Sequence, residues 1–232
     1  MSPRADRAAG RGLFITFEGT EGGGKTTQIQ LLAERFRALS RTVRVLREPG
    51  GTPIGEEIRH TLKHSDANRA MTPETELLLM NASRAQLVRE VIEPALAAGE
   101  IVLCDRFFDS TIAYQGYGRR LDLAQVKGII EFAVGGTRPD LTFLLEVPVE
   151  VSEARRQTRQ AAAAQPLRDR LEEEDRAFFE RVQQGYHAIA AADPKRVRVI
   201  SALGSIEEVS KQIWAIATEV VCREHQDEAC PP

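Results

Sequence analysis

The sequence predicts an α/β protein in three layers, with helices on both faces of a mostly parallel five-stranded sheet. Three observations carry this. Five short apolar runs alternate with longer stretches of helical periodicity, the pattern that builds a parallel sheet from strand, helix and strand. The first run, Leu13 to Phe17, leads through Gly19-Thr20-Glu21-Gly22-Gly23-Gly24-Lys25-Thr26 into a helical pattern from Gln28. The third, Ile101-Val102-Leu103-Cys104, is apolar at every position, as suits a strand buried on both faces.

In order, the first helix is expected to end near Leu39-Ser40, and Thr42 to Arg47 alternates as a second strand. Glu48-Pro49-Gly50-Gly51-Thr52-Pro53 is too rich in Gly and Pro to be helical, and Pro53 suits the first position of a short helix through about His64. Thr72-Pro73 opens a long helix to Ala98, stopped by Gly99. After the third strand and its terminal Asp105 comes a turn, then a helix capped by Asp122 with Gln125. Leu141 to Val147 reads as strand four, followed by helices over Pro148 to Arg159 and Leu171 to Ala192, separated by the alanine-rich break Gln160 to Leu167. Arg196 to Ser201 makes strand five, and Ser205 with Glu208 forms a capping box for a last helix ending near Arg223.

The 232 residues, 42% apolar and 28% charged, suffice for one α/β core, expected over residues 13–224 between a flexible extension (1–12) and a flexible tail (225–232). A net charge of −3 gives no general reason to expect nucleic acid or an anionic membrane as partner. The cysteines Cys104, Cys222 and Cys230 form no C-x-x-C pair and leave an odd count, which favours the reducing cytoplasm over a secreted disulfide framework. No stretch approaches the roughly 18 apolar residues of a membrane span.

The segment Gly19 to Thr26 fits the phosphate loop G-x-x-x-x-G-K-[ST] in full. Gly19, Gly22, Gly23 and Gly24 allow the dihedrals and close approach by which backbone N–H groups surround phosphate oxygens. Lys25 adds a point charge at the β/γ-phosphates, Thr26 a hydroxyl for Mg²⁺, and the amino end of the following helix its dipole and unpaired N–H donors, with Thr27 also at the donor site. Asp105, at the carboxyl end of a buried strand beside this loop, suits Mg²⁺ through water. Glu48 would orient an arginine or the metal's water shell. Arg47 and Arg106 also fall at carboxyl ends of strands, where open α/β sheets bind ligands, so both can point at a second phosphate, with Arg59 a candidate third. The alternative for each is a solvated surface pair. A phosphate monoester with a second pKa near 6 is already largely a dianion, so no general base is needed.

These motifs, with Arg47-Glu48-Pro49-Gly50-Gly51-Thr52, Asp105-Arg106-Phe107, Ser110 to Gly116 and Arg170-Leu171-Glu172, make the chain resemble the bacterial-type thymidylate kinases from Leu13 to about Val221. The resemblance implies a P-loop kinase fold with a short mobile lid, here about residues 155–171, and transfer of the ATP γ-phosphoryl group to dTMP in dTTP biosynthesis. It also implies a Mg²⁺ requirement and a homodimer. It further implies that Arg84 donates to the thymine O4 carbonyl, that Ser110 belongs to the acceptor site and that Thr111 and Gln115 lie near the base. Tyr114 would sit under the sugar and exclude a 2′-hydroxyl, while Glu21 accepts from the 3′-hydroxyl. The family stacks an aromatic ring on thymine where this chain has Met80, whose thioether covers a base face with less defined geometry.

A phosphoryl transition state calls for an arginine, and the variable loop positions Thr20 to Gly23 contain none. Relatives lacking it supply it from the lid, where Arg155 and Arg159 share a helix face and Arg168 and Arg170 follow the break. Arg159 and Arg170 are the expected catalytic cations, Arg155 is expected to stack on adenine, and Ser201 and Ala202 are expected to line the adenine site. Two rivals stand beside this reading. A GTP-binding switch would need N-K-x-D, yet no lysine follows an asparagine. A kinase for another nucleoside monophosphate or a deoxynucleoside would keep the fold and change the acceptor.

Overall fold

Phe14–Glu18 forms β1, buried along its whole length. In a computed structural model, which describes residues 10–162 and 169–224, it is the middle strand of five. The others are β2 (Val43–Arg47), β3 (Ile101–Asp105), β4 (Leu141–Glu146) and β5 (Val197–Ser201), in the order β2-β3-β1-β4-β5. Every pairing is parallel. The chain runs from β1 out to one edge, returns to β3, and crosses to β4 on the far side. The carboxyl ends of β1, β2 and β3 therefore open into one crevice.

The helices are α1 (Lys25–Ala38), α2 (Pro53–Lys63), α3 (Pro73–Leu87), α4 (Glu93–Ala97), α5 (Phe108–Thr111), α6 (Leu123–Val134), α7 (Val149–Ala162), α8 (Arg176–Ala192) and α9 (Ile206–Glu224). The period-two alternation of β1 divides them between two faces. Ile15 and Phe17 pack with Ile29, Leu32 and Phe36 of α1 and Ile213 and Ala217 of α9. Phe14 packs with Leu77 and Leu87 of α3 and Val126 and Ile130 of α6. Phe178, Val182 and Tyr186 of α8 form a third cluster with Ala113 and Tyr114.

The expected caps are formed, Thr72 accepting from Thr75 N and Asp122 from Gln125 N, and Thr52, before Pro53, caps α2 by accepting from Gly55 N. Ser205 and Glu208 bond reciprocally, at 2.8 and 3.2 Å. Four features differ from expectation. The long helix to Ala98 is continuous, but a wide, π-helical turn at Val88–Ile92 separates α3 from α4. The segment after Asp105, read as a turn, is helical, α5 passing into a π-helical Ile112–Gly118. Ala113 and Tyr114 are buried there against α8, packing that local residue preference does not show. The helix expected from Leu171 begins at Arg176, because Asp175 caps it by accepting from Phe178 N at 2.7 Å, and Arg170–Glu173 forms a separate 3₁₀ turn. The expected extension also ends earlier than residue 12: Gly12 N donates to Leu96 O at 2.7 Å and Arg11 pairs with Asp140 at 3.6 Å. Residues 1–9, 163–168 and 225–232, which hold the tail, Arg168 and most of the alanine-rich break, lie outside the described residues.

Candidate active site

The phosphate loop leaves β1 at Gly19, whose φ of +123° suits glycine, and a Cβ there would lie 2.3 Å from Leu145 O. Gly24, also left-handed, hands the chain into α1. Lys25 is buried, and its ammonium donates to Gly19 O at 3.2 Å and Thr20 O at 2.9 Å. Burial pushes its pKa down and Arg106 adds to that, so the site holds a cation for which a phosphate anion is a natural partner. Thr26 Oγ1 donates to Asp105 Oδ2 at 3.0 Å, which brings the two expected Mg²⁺ residues to one point. Hydroxyl and carboxylate oxygens are hard donors of the kind Mg²⁺ takes. Among the described residues no group of three His, Cys, Asp or Glu converges on a point. Most ligands of a cation here would be phosphate and water oxygens.

The loop borders a cleft lined also by Arg47, Arg59, Arg106 and Arg155. Arg47 pairs with Glu56 at 2.8 Å, and Arg59 donates to Pro49 O at 2.9 Å. Burial and the neighbouring Arg47 both lower the Arg59 pKa, and together outweigh the carboxylates of Asp169, Glu56 and Glu21 nearby. Arg106 adopts a left-handed φ of +71°, which turns its guanidinium into the site. It donates to Glu21 at 2.7 Å, Ser110 Oγ and Tyr186 OH at 3.1 Å and Tyr114 OH at 3.3 Å, and lies 5.1 Å above the Tyr114 ring. Burial alone would raise the Glu21 carboxyl. Arg106 and Lys25 more than offset it, holding Glu21 well below the usual carboxylate range.

Glu21, Glu48, Lys63 and Arg106 also line a second cavity, floored by Met80, Arg84, Thr111, Tyr114 and Gln115. Arg84, 2% exposed, does not reach for water. Its Nε donates to Glu48 Oε2 at 2.9 Å, Nη1 to Asn81 Oδ1 at 2.9 Å, and Nη2 to Phe107 O at 3.2 Å. Glu48 thus orients an arginine, the first of its two expected roles. Its Oε1 is buried with no hydrogen-bond partner among the described residues, and burial raises its pKa.

The lid expectations divide. Arg155 donates to Gly22 O at 3.0 Å and Ala202 O at 3.2 Å, so it and Ala202 meet beside the phosphate loop. Ser201 is exposed and borders a different groove, with Glu150 and Arg176. Arg170, expected at the transferring phosphoryl group, instead lies buried against Glu76, because its 3₁₀ turn aims it at the foot of α3. The side chain of Arg159 lies outside the described residues.

Three residues escaped the sequence reading. Lys63 lines both cavities and pairs with Asp169 at 2.6 Å; its position in the last turn of α2 suggested only dipole compensation. Glu18 ends β1 fully buried, accepting from Phe107 N at 2.8 Å, Ser110 Oγ at 2.5 Å and Tyr186 OH at 3.1 Å. An acid on an otherwise apolar strand was the available signal. Glu76 shares the stripe of Met80 and Arg84 at intervals of one helical turn, which was its available signal.

The family model described as "Thymidylate kinase" matches residues 17–213. Thymidylate kinases from Syntrophotalea carbinolica and Thermomicrobium roseum are 50% and 52% identical, over 87% and 90% of this chain and 93% and 96% of their own. The crystal structure of thymidylate kinase from Ehrlichia chaffeensis superposes with a TM-score of 0.70 at 32% identity, over 89% of this chain and 98% of that one. With the phosphate loop, the arginine-lined cleft and the Arg84 pocket joined in one crevice, this chain belongs to the thymidylate kinase family.

Proposed function

We propose that this chain transfers the γ-phosphoryl group of ATP to dTMP, giving dTDP and ADP for dTTP synthesis. The observation that carries the reading is the continuity of the two cavities, a cationic cleft at the phosphate loop and a buried pocket at Arg84, with Arg106 shared between them. The names borne by its relatives support the same acceptor.

In this reading the amides of Gly22 to Thr26 hold the donor phosphates and Lys25 neutralises their β/γ end. Arg106, with Arg47 and Arg59, turns the acceptor phosphate in line. Transfer is then a matter of positioning and charge neutralisation. Thr26 and Asp105 would hold Mg²⁺, which when bound supplies further neutralisation of the phosphate charge. Glu21, held ionised beside Arg106, is suited to accept from the acceptor's 3′-hydroxyl. Tyr114 stands beside it at the sugar, and Ser110 and Thr111 complete the acceptor wall. Arg155, which donates to Ala202 O, is assigned to the adenine side, and the lid cation at the transferring group is assigned to Arg159; the burial of Arg170 argues against its sharing that role.

A homodimer is supported by apolar side chains left exposed on neighbouring helices, Phe132 of α6 at 87% and Leu78 of α3 at 56%. Sedimentation of a monomer at micromolar concentration would count against it. The cytoplasm is the proposed compartment, consistent with the odd cysteine count and with the finding that no described helix is long and apolar enough to cross a membrane. The function is tested by coupled ADP release across dTMP, dUMP, dCMP, dGMP, AMP and thymidine. Strongest turnover with dTMP is expected, and strongest turnover with any other acceptor overturns the proposal.

A further inference from the structure

Glu76 is wholly inaccessible to solvent, yet it lies behind the base pocket rather than in it. Its Oε1 accepts from Gln115 Nε2 at 2.7 Å and Arg119 Nε at 3.2 Å. Its Oε2 accepts from Arg119 Nη2 at 2.9 Å and from Arg170 Nη2. An ionised carboxylate between two guanidiniums offers acceptors only, so the Gln115 side chain can meet it through its NH₂ group alone. The amide is thereby locked one way round. Its carbonyl oxygen is turned from Glu76, on a side chain that lines the pocket with Arg84. Arg84 keeps one Nη1 hydrogen uncommitted among the described residues.

We propose that Glu76 is the positioning residue for pyrimidine selectivity, holding Gln115 so that its carbonyl oxygen accepts the base N3–H while Arg84 donates to O4. This rests on the dTMP kinase reading and deepens it. A thymine or uracil edge presents N3–H donor and O4 acceptor, and a cytosine edge presents N3 acceptor and an amino donor. A pocket with acceptor and donor in this arrangement therefore matches the first and opposes the second at both positions. The arginine alone supplies half of that discrimination. Glu76 supplies the other half without touching the substrate.

The test is Glu76→Gln, read as the ratio of kcat/KM for dTMP to that for dCMP. The one carbonyl oxygen of the new amide is claimed by the cations Arg119 and Arg170, which leaves its NH₂ facing Gln115. The Gln115 amide must then turn over and present a donor to the pocket. The ratio is expected to fall roughly 10- to 100-fold, the cost of one hydrogen bond exchanged for facing donors. A purely structural loss lowers both substrates in proportion, so an unchanged ratio in a folded variant overturns the proposal. Should that variant fail to fold, Gln115→Met carries the test: it removes the acceptor, must lower the same ratio, and overturns the proposal if it does not. Wild-type preference for a different acceptor class would sink the proposed function as well, a result visible before any variant is made.

Discussion

The two ends of the crevice are built on opposite electrostatic plans. At the base end the guanidinium of Arg84 is committed to Glu48, Asn81 and a backbone carbonyl, and Gln115 is held by Glu76. At the phosphate end burial and neighbouring cations lower the pKa of Lys25 and Arg59, and Arg47 keeps much of its side chain in solvent. The difference follows from the ligands. A neutral base edge is discriminated by donors and acceptors that cannot rearrange, so that pocket is satisfied in advance. A phosphate brings its own charge, so that cleft can leave its cations crowded until the ligand arrives. Two acids in one short segment show the same contrast. Burial, reinforced by Asp109, raises Glu18 to about 7. Glu21, facing Arg106 and Lys25, is held ionised.

The contrast breaks most completely at Lys25. Lys25→Ala is expected to lower phosphoryl transfer by about 1000-fold or more while leaving the circular dichroism spectrum unchanged, because the lost charge acts on the donor phosphates. Surviving activity would remove the phosphate loop from the mechanism.

Arg84 and Arg47 sharpen the comparison. Arg84→Met leaves Glu48 buried without its cation and should cost about 3–5 kcal/mol of stability. Arg47→Met at an exposed pair should cost less than about 1 kcal/mol. Only acceptor affinity should fall in both. Denaturant unfolding and dTMP titration of the two variants check this, and equal stability losses would erase the distinction.

Glu18 gives a smaller effect with a definite sign. Its ordinary value is 4.5 and its folded value about 7, so the folded protein binds this proton more tightly. Its contribution is complete below pH 4.5 and is lost as pH rises to about 7. That loss amounts to about 3 kcal/mol at most. The groups around it are Phe107 N, Ser110, Tyr186, Arg106 and Asp109. Glu18→Gln should flatten the fall in stability between pH 5 and pH 8, measured by denaturant unfolding at both. A variant with the wild-type slope would acquit Glu18.

The smallest effect is expected at Met80→Phe. A ring in place of the thioether should tighten dTMP by roughly 2- to 10-fold, as aromatic pairs gain about 0.5–1.5 kcal/mol beyond their area. Calorimetric titration reads it directly, and weaker binding would mean that the pocket is already filled by its present geometry.

What was legible in the sequence is what depends on near neighbours along the chain. The phosphate loop, Pro53 opening α2, the caps at Thr72, Asp122 and Ser205, and the buried run Ile101 to Cys104 of β3 are local patterns of residue type, and each is present as read. The positions of Asp105 and Arg106 were legible too, because a strand's carboxyl end is defined by the strand itself. The helical segment after Asp105 was not, since Ala113 and Tyr114 are held helical by packing on α8, far along the chain.

The same limit separates the arginines. Sequence alone determined that this chain is rich in guanidiniums near a phosphate loop, and therefore the class of ligand it handles. Only the tertiary structure decided where each of them points: Arg106 turned inward by a left-handed backbone, Arg84 locked onto Glu48, Arg170 withdrawn onto Glu76. A charged side chain takes its role from the counter-charge it meets. For Arg84 and Arg170 that partner, Glu48 or Glu76, comes from a distant part of the chain, which no local pattern encodes.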